Sequence, residues 1–270
     1  MSSRIAYVIA LLVGALVIGA CAQHYVTPGG GVPMLALAGD ELTDRDLRKY
    51  YETQPAAGFP ANLTVIRIQD SGYRSHTHHG YGHGRFTIVT TRDIEDDEAF
   101  EKLESLPNVR GVAAIGRMLV PANSNTIRDL RVPAARLHAD MILVYSVDTS
   151  FTVDGKQLGP LSLVSLGLIP NKKAHVTATV AGMLVDVRTG YIYGTAESTN
   201  VQKQSATIWS TEMAIDTARR KAEITAFDGF VDEFADMWGG VVSAYAHRRT
   251  PTPQDDGASR PGYHSVLFED

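Results

Sequence analysis

The chain has 270 residues, 44 % of them hydrophobic and 20 % charged, with a formal charge of −5 at neutral pH. That length suits one ordinary domain with appendages, and the balance is that of a globular protein. The absence of a basic excess argues against nucleic acid as a partner, and a single cysteine leaves no pair for a disulfide within the chain.

The chain opens on Arg4, then runs from Ile5 to Ala20 without a charge, and its one cysteine, Cys21, follows directly. A positive front, an apolar stretch and small residues before a cut are the build of a secretory signal. The run is short for a spanning helix, which needs roughly 20 apolar residues. Ile18-Gly19-Ala20-Cys21 resembles the lipobox of bacterial lipoproteins. The resemblance implies that residues 1–20 are removed as a signal peptide and that an acylated Cys21 holds the protein in a lipid bilayer. Ala22 after the cysteine, rather than Asp, implies by the sorting rule of such lipoproteins an outer-membrane anchor on the periplasmic face. Cleavage would remove Arg4 and no acid, leaving 24 basic against 30 acidic groups.

Residues 21–60 read as a flexible tether. Pro28-Gly29-Gly30-Gly31-Val32-Pro33 suits neither helix nor strand, although Thr43 to Tyr51 could form a short helix capped by Thr43. A single domain is expected over 61–246. Its first strand is Leu63 to Ile68 and its second Arg85 to Thr91, both too short and β-branched for helices. The acidic cluster Ile94 to Glu98 suits a helix N-terminus, with Phe100, Leu103 and Leu106 at helical spacing behind it. A third strand is expected from Val109 to Val120. Asn123 to Ala139 reads as helix in two pieces, broken near Val132 by the approach of Pro133. Asp140 to Val147 is a buried strand. His175 to Val187 alternates as a half-exposed strand and turns back through Gly190 into Tyr191 to Thr195. The apolar link Leu158 to Pro170 is too short, and too interrupted by Pro160, for a membrane hairpin, and is expected to pack on the core.

One long helix should follow from Ser205 to about Ala246, with Phe227, Phe230, Val231, Phe234, Met237, Trp238 and Val241 in one stripe. Residues 247–270 have the composition of a disordered tail. These elements predict an α/β (α+β) sandwich, a mixed sheet of about six strands packed with two short helices and one long C-terminal helix. Leu137 to Tyr145 and Leu184 to Tyr191 resemble two landmarks of the CsgG/TolB N-terminal-like domain, a helix leading into an Ala-Asp strand and an Asp-x-x-Thr-Gly turn. The resemblance spans about Asn62 to Trp238 and implies a fold of that group.

The densest polar cluster is the glycine-rich stretch from Gly72 to Arg85, which holds His76, His78, His79 and His83. Imidazoles on one loop can bind zinc or copper; the opposing reading is a solvated loop. Asp140, Asp148 and Asp186 are scattered, Asp186 as a turn residue, and His138 reads as a helix-end cation. No nucleophile elbow, Walker loop or His-Glu-x-x-His occurs. The expectation is a non-catalytic, membrane-anchored periplasmic lipoprotein acting in envelope assembly or stress, with envelope proteins or copies of itself as partners. The alternative is a periplasmic metal-binding protein using the His76–His83 loop.

Overall fold

A computed structural model describes residues 28–32, 43–75, 78–153, 156–157, 173–205 and 212–247. The signal segment with Cys21, the link Leu158 to Pro170, His76 and the tail beyond residue 247 lie outside the described residues.

The sheet is organised by β1 (Ala61–Asp70), whose residues are buried on both faces up to Asp70. Along one edge β1 pairs first with β3 (Val109–Ala114), parallel, and then with β2 (Phe86–Val89), antiparallel. Its other edge pairs in parallel with β4 (Met141–Val153). From there the sheet continues antiparallel through β6 (Lys173–Asp186) to β7 (Ile192–Ser205), while the two-residue β5 (Lys156–Gln157) folds back on β4. The seven strands make the expected mixed sheet, and the fold is α+β.

Alternation along the central strands divides the side chains between two cores. Leu63 and Val65 of β1, Met141 to Val147 at odd positions of β4, and Val176, Ala178 and Val180 of β6 meet the long helix α4 (Glu212–Tyr245) and the short helix α2 (Asp97–Glu104). Ile66, Ile68, Ile142, Val144, Met183 and Val185 face the other way, toward α3 (Ile127–Arg136). A Cβ at Gly182 would meet the ring of Phe230, so this glycine lets α4 lie close against β6.

Several boundaries differ from expectation for local reasons. Helix α3 is continuous through Pro133. A proline forfeits one backbone bond, and here the buried ring of Pro133 packs into the second core beside Leu130 and Ala134. Strand β3 stops at Ala114 and a 3₁₀ turn, Arg117–Leu119, follows. Strand β4 runs six residues past Val147 because β6 pairs with it all the way to Val153. Ser205 is the last residue of β7 rather than the first of the helix, and Gly239 and Gly240 lie inside α4 without ending it.

Part of the expected tether is packed. Gly30 accepts a hydrogen bond from the amide of Asp70 at 3.3 Å, and Val32 is buried against the second core. Beyond α1 (Asp44–Glu52), Ala56 and Ala57 donate their amides to Asp186, and Phe59 lies against Trp238 with ring centres 5.7 Å apart.

Candidate functional site

The histidine loop runs from the end of β1 to the start of β2. A bridge between Arg74 and His79 and another between Tyr81 and Ile88 give it shape, and Ser75 is buried beneath it. The amide of His78 donates to Ser75 Oγ at 2.9 Å, and Ser75's amide donates back to the His78 carbonyl at 2.8 Å. These bonds separate the histidines. His78 points inward, its Nε2 3.8 Å from Asp93 Oδ2. His79 and His83 instead line an open cleft of about 390 Å³ with Tyr73, Arg74 and Tyr81. Among the described residues no three of His, Cys, Asp and Glu come together to hold a metal ion. The described part of the loop is therefore tied down through Arg74, Ser75 and Tyr81, with Arg74, His79 and His83 exposed on it.

Beneath the loop lies a buried ionic cluster that local motifs do not reveal. Arg67 occupies the α4-facing side of β1, two residues on from Val65, and its Nη1 reaches Asp93 at 3.0 Å and Glu95 at 3.5 Å. Its Nη2 donates to the Tyr73 hydroxyl at 3.3 Å. Glu95 also accepts from the Tyr145 hydroxyl at 2.5 Å. On the first turns of α4, Arg219 spans Asp216 at 3.0 Å and Glu223 at 2.5 Å, three and four residues away on the same helix face. Glu223 then accepts from Thr149 of β4 at 2.7 Å. Arg219 Nη2 lies 3.9 Å from Asp93, so the two arginine groups join through that carboxylate.

The burial of these groups is nearly complete: Arg67 is 2 % exposed, Arg219 and Glu223 not at all. Two arginines face four carboxylates, an acidic excess that holds both guanidinium groups charged. Burial opposes the charge on Arg67, but Glu95, Tyr73, Asp93 and Glu223 outweigh it and raise its pKa. Burial, followed by the neighbouring Glu95 charge, pushes the Tyr145 hydroxyl well above its ordinary value of 10.0. Burial likewise raises Tyr73, against the pull of Arg67. The space beside Arg67, Glu95 and Tyr145 is a cavity of about 40 Å³, room for little more than a water. Its chemistry is cohesive: the cluster ties β1, the segment after β2, β4 and α4 together.

Two of the three carboxylates singled out from the sequence, Asp186 and Asp140, do structural work. Asp186 is fully buried and, as expected, closes a turn, accepting the amides of Arg188 and Thr189 at 2.8 and 2.9 Å. Its other oxygen accepts Ala56, Ala57 and the Tyr193 hydroxyl. Burial, then the charge of Asp186, raises the pKa of Tyr193. Asp140 accepts the amide of Asn62 at 3.1 Å and lies 3.5 Å from Arg188. Asp148 is exposed at the edge where residues 30 and 31 cross β4. His138 is a C-terminal cap in left-handed backbone at φ 57°. Its amide bonds to Ala135 and that of Ala139 to Ala134, the paired closure usually built on glycine.

One signal in the sequence pointed to the ionic cluster. Asp216, Arg219 and Glu223 continue, at spacings of three and four, the stripe that Phe227, Phe230, Phe234 and Trp238 occupy on α4. Polar residues on the prolongation of a buried stripe are buried with it unless the helix overhangs the sheet, and here it does not.

No family model matches the chain, and no curated protein matches it in sequence. Among solved structures it is similar to protein XCC0632 from Xanthomonas campestris, of the family designated DUF330, at 12 % identity and a TM-score of 0.35 over 69 % of this chain and 90 % of that one. It is also similar to a dodecameric PelC variant from Paraburkholderia phytofirmans, at 12 % identity and a TM-score of 0.27 over 65 % of this chain and 92 % of that one. A third likeness is to the hypothetical protein CT253 from Chlamydia trachomatis, at 13 % identity and a TM-score of 0.25, covering 63 % and 97 %. All three are too distant to bear on function.

Proposed function

We propose that this protein is a non-catalytic lipoprotein of the bacterial outer membrane, moored through acylated Cys21 and acting through contacts with other proteins on the periplasmic side. The observation that carries the reading is the position of the only cysteine, directly behind the uncharged run from Ile5 to Ala20 and preceded by Gly19 and Ala20. The resemblance of Leu137 to Tyr145 and Leu184 to Tyr191 to the CsgG/TolB N-terminal-like domain agrees with an envelope address. The buried acids and arginines are consistent with a scaffold, since they bond to one another and to tyrosine and threonine.

Packing of residues 28–32 refines the picture of the mooring. Seven peptide units separate Cys21 from Pro28, a reach of at most about 25 Å. Gly29 lies against Tyr73, at the base of the histidine loop. An acylated Cys21 would therefore hold the loop end of the domain close to the bilayer rather than on a long leash.

Replacing Cys21 with Ser tests the anchor. Expected is complete loss of radiolabelled palmitate from the protein and its release from the membrane fraction; a Cys21→Ser chain that still takes up label and sediments with membranes refutes the address.

The cleft that holds both His79 and His83 favours a second reading, a zinc or copper site on the His76–His83 loop. Calorimetric titration of the full chain with zinc or copper, alone and with His79→Ala and His83→Ala together, decides it. Sub-micromolar binding lost in the double variant supports a site; unchanged or absent heat rejects one.

A further inference from the structure

Strand β7 is the last in the sheet, and β6 is its only hydrogen-bonded neighbour among the described residues. It is 14 residues long, more than twice the common strand length. Its outer edge therefore carries a long row of backbone N–H and C=O groups that no described residue pairs, the kind of edge that takes a further strand. What such an edge takes is decided by the side chains that a new strand would meet.

One face of β7 is covered. Ala196 is buried in the core beneath α4, and Gly194 and Ser198 lie against Met237 and Gly229 of that helix. On the other face Thr195, Glu197, Thr199, Val201 and Lys203 are exposed. Glu197 and Lys203 are flanked at equal distance by Asn200, three residues on either side. Neither has an ion-pair partner among the described residues. Six residues of extended chain hold them about 20 Å apart, so they do not pair within one copy.

A second copy of the same strand, running antiparallel about a two-fold axis at Asn200, brings them together. Glu197 then faces the copy's Lys203, Lys203 faces its Glu197, and Thr199 faces Val201 on both sides. Directly opposed side chains of opposite charge favour a register and like charges oppose it. Moving the axis by one residue sets Glu197 against Val201 or against Ser205 instead, so only the register centred on Asn200 satisfies both charges. The contact is self-complementary, as a two-fold interface requires.

We propose that two copies of this chain join edge to edge through β7, antiparallel about Asn200, in one sheet that continues across both subunits. This goes beyond the lipid-anchor reading and does not rest on it: the pairing is the same whether or not Cys21 carries an acyl chain.

Sedimentation velocity on the full-length chain, in a detergent at large molar excess over protein, tests the proposal with Glu197→Lys and Lys203→Glu. The wild type is expected to dimerise. Each single variant should associate at least about tenfold more weakly, because both ion pairs turn into like-charge contacts. An equimolar mixture of the two variants should form heterodimers of near wild-type affinity, since one chain then presents two lysines and the other two glutamates. Both positions are exposed, and circular dichroism is used to check that each variant is folded. A wild type that stays monomeric at about 100 μM, single variants that dimerise as tightly as wild type, or a mixture that does not associate would each overturn the proposal.

Discussion

The two halves of α4 solve the same packing problem with opposite materials. From Phe227 to Val241 the helix meets the sheet with Phe227, Phe230, Phe234 and Trp238, all essentially without exposure. From Asp216 to Glu223 the same stripe presents two carboxylates around an arginine. Burial of each aromatic contributes about 1.5–3 kcal/mol from area alone, and its contacts tolerate small shifts. The ionic half gains little net energy, because the Coulomb attraction must first offset the desolvation of every charge. It is, however, unforgiving: each member is needed to keep the others from standing buried and unpaired. Aromatic packing thus supplies the stability of the helix, while the charges dictate where along the sheet it sits, since only one placement brings Glu223 to Thr149 and Arg219 toward Asp93.

Single deletions on each side should be equally severe for different reasons. Phe230→Ala is expected to cost about 3–5 kcal/mol by opening a cavity against Gly182 and Tyr145. Arg219→Ala should cost a similar 3–5 kcal/mol by leaving Asp216 and Glu223 buried without their cation. Urea unfolding followed by circular dichroism measures both.

A milder break lies at Tyr145, whose ring packs on Phe227 and Phe230 while its hydroxyl serves Glu95. Tyr145→Phe keeps the ring and should cost about 1.5–3 kcal/mol, the worth of a hydrogen bond to a charged acceptor. Because burial and then Glu95 raise this hydroxyl's pKa, the fold favours the neutral form. That contribution is complete below the unfolded tyrosine value of 10.0 and is lost as pH rises above it. Thermal melts between pH 9 and 11 should therefore fall more steeply for wild type than for Tyr145→Phe; parallel curves would remove Tyr145 from the titration.

Two smaller changes lie outside the contrast, since neither touches the buried stripe of α4. His138→Gly relieves the left-handed backbone of an exposed side chain at the end of α3 and should stabilise by about 0.5–1 kcal/mol. Asp228, raised in pKa by partial burial and then by Asp96 and Glu98, is repelled by the first turn of α2. Asp228→Asn should raise the melting temperature slightly at pH 7, with the gain vanishing as acid protonates the wild-type carboxylate.

Much of the fold was legible from periodicity. The alternation of Thr177 and Thr179 with Val176, Ala178 and Val180 matches the observed burial, and Gly190 takes positive φ at 79° in the turn it was expected to make. The stripe on α4 is core as expected. Each of these is a local regularity whose physical cause lies within a few residues. The length of β4 beyond Val147, the docking of residues 28–32 and the passage of α3 through Pro133 were not legible, because each depends on a neighbour distant in the chain. The histidine loop shows the limit best. Four histidines in eight positions suggest one site by count, but the bonds of Ser75 turn His78 toward Asp93 and leave His79 and His83 on the cleft.

Composition and spacing alone give an uncharged run from Ile5 to Ala20 ahead of the sole cysteine, a mixed sheet, and a C-terminal helix with an apolar stripe, because hydrophobic pattern and turn chemistry act over short range. The fate of Arg67, Arg219, Glu95 and Glu223 had to await the packing of α4 on the sheet. A charged side chain carries no mark of whether water or a counter-charge will satisfy it, and that choice is made only when strands and helices from distant parts of the chain close over it.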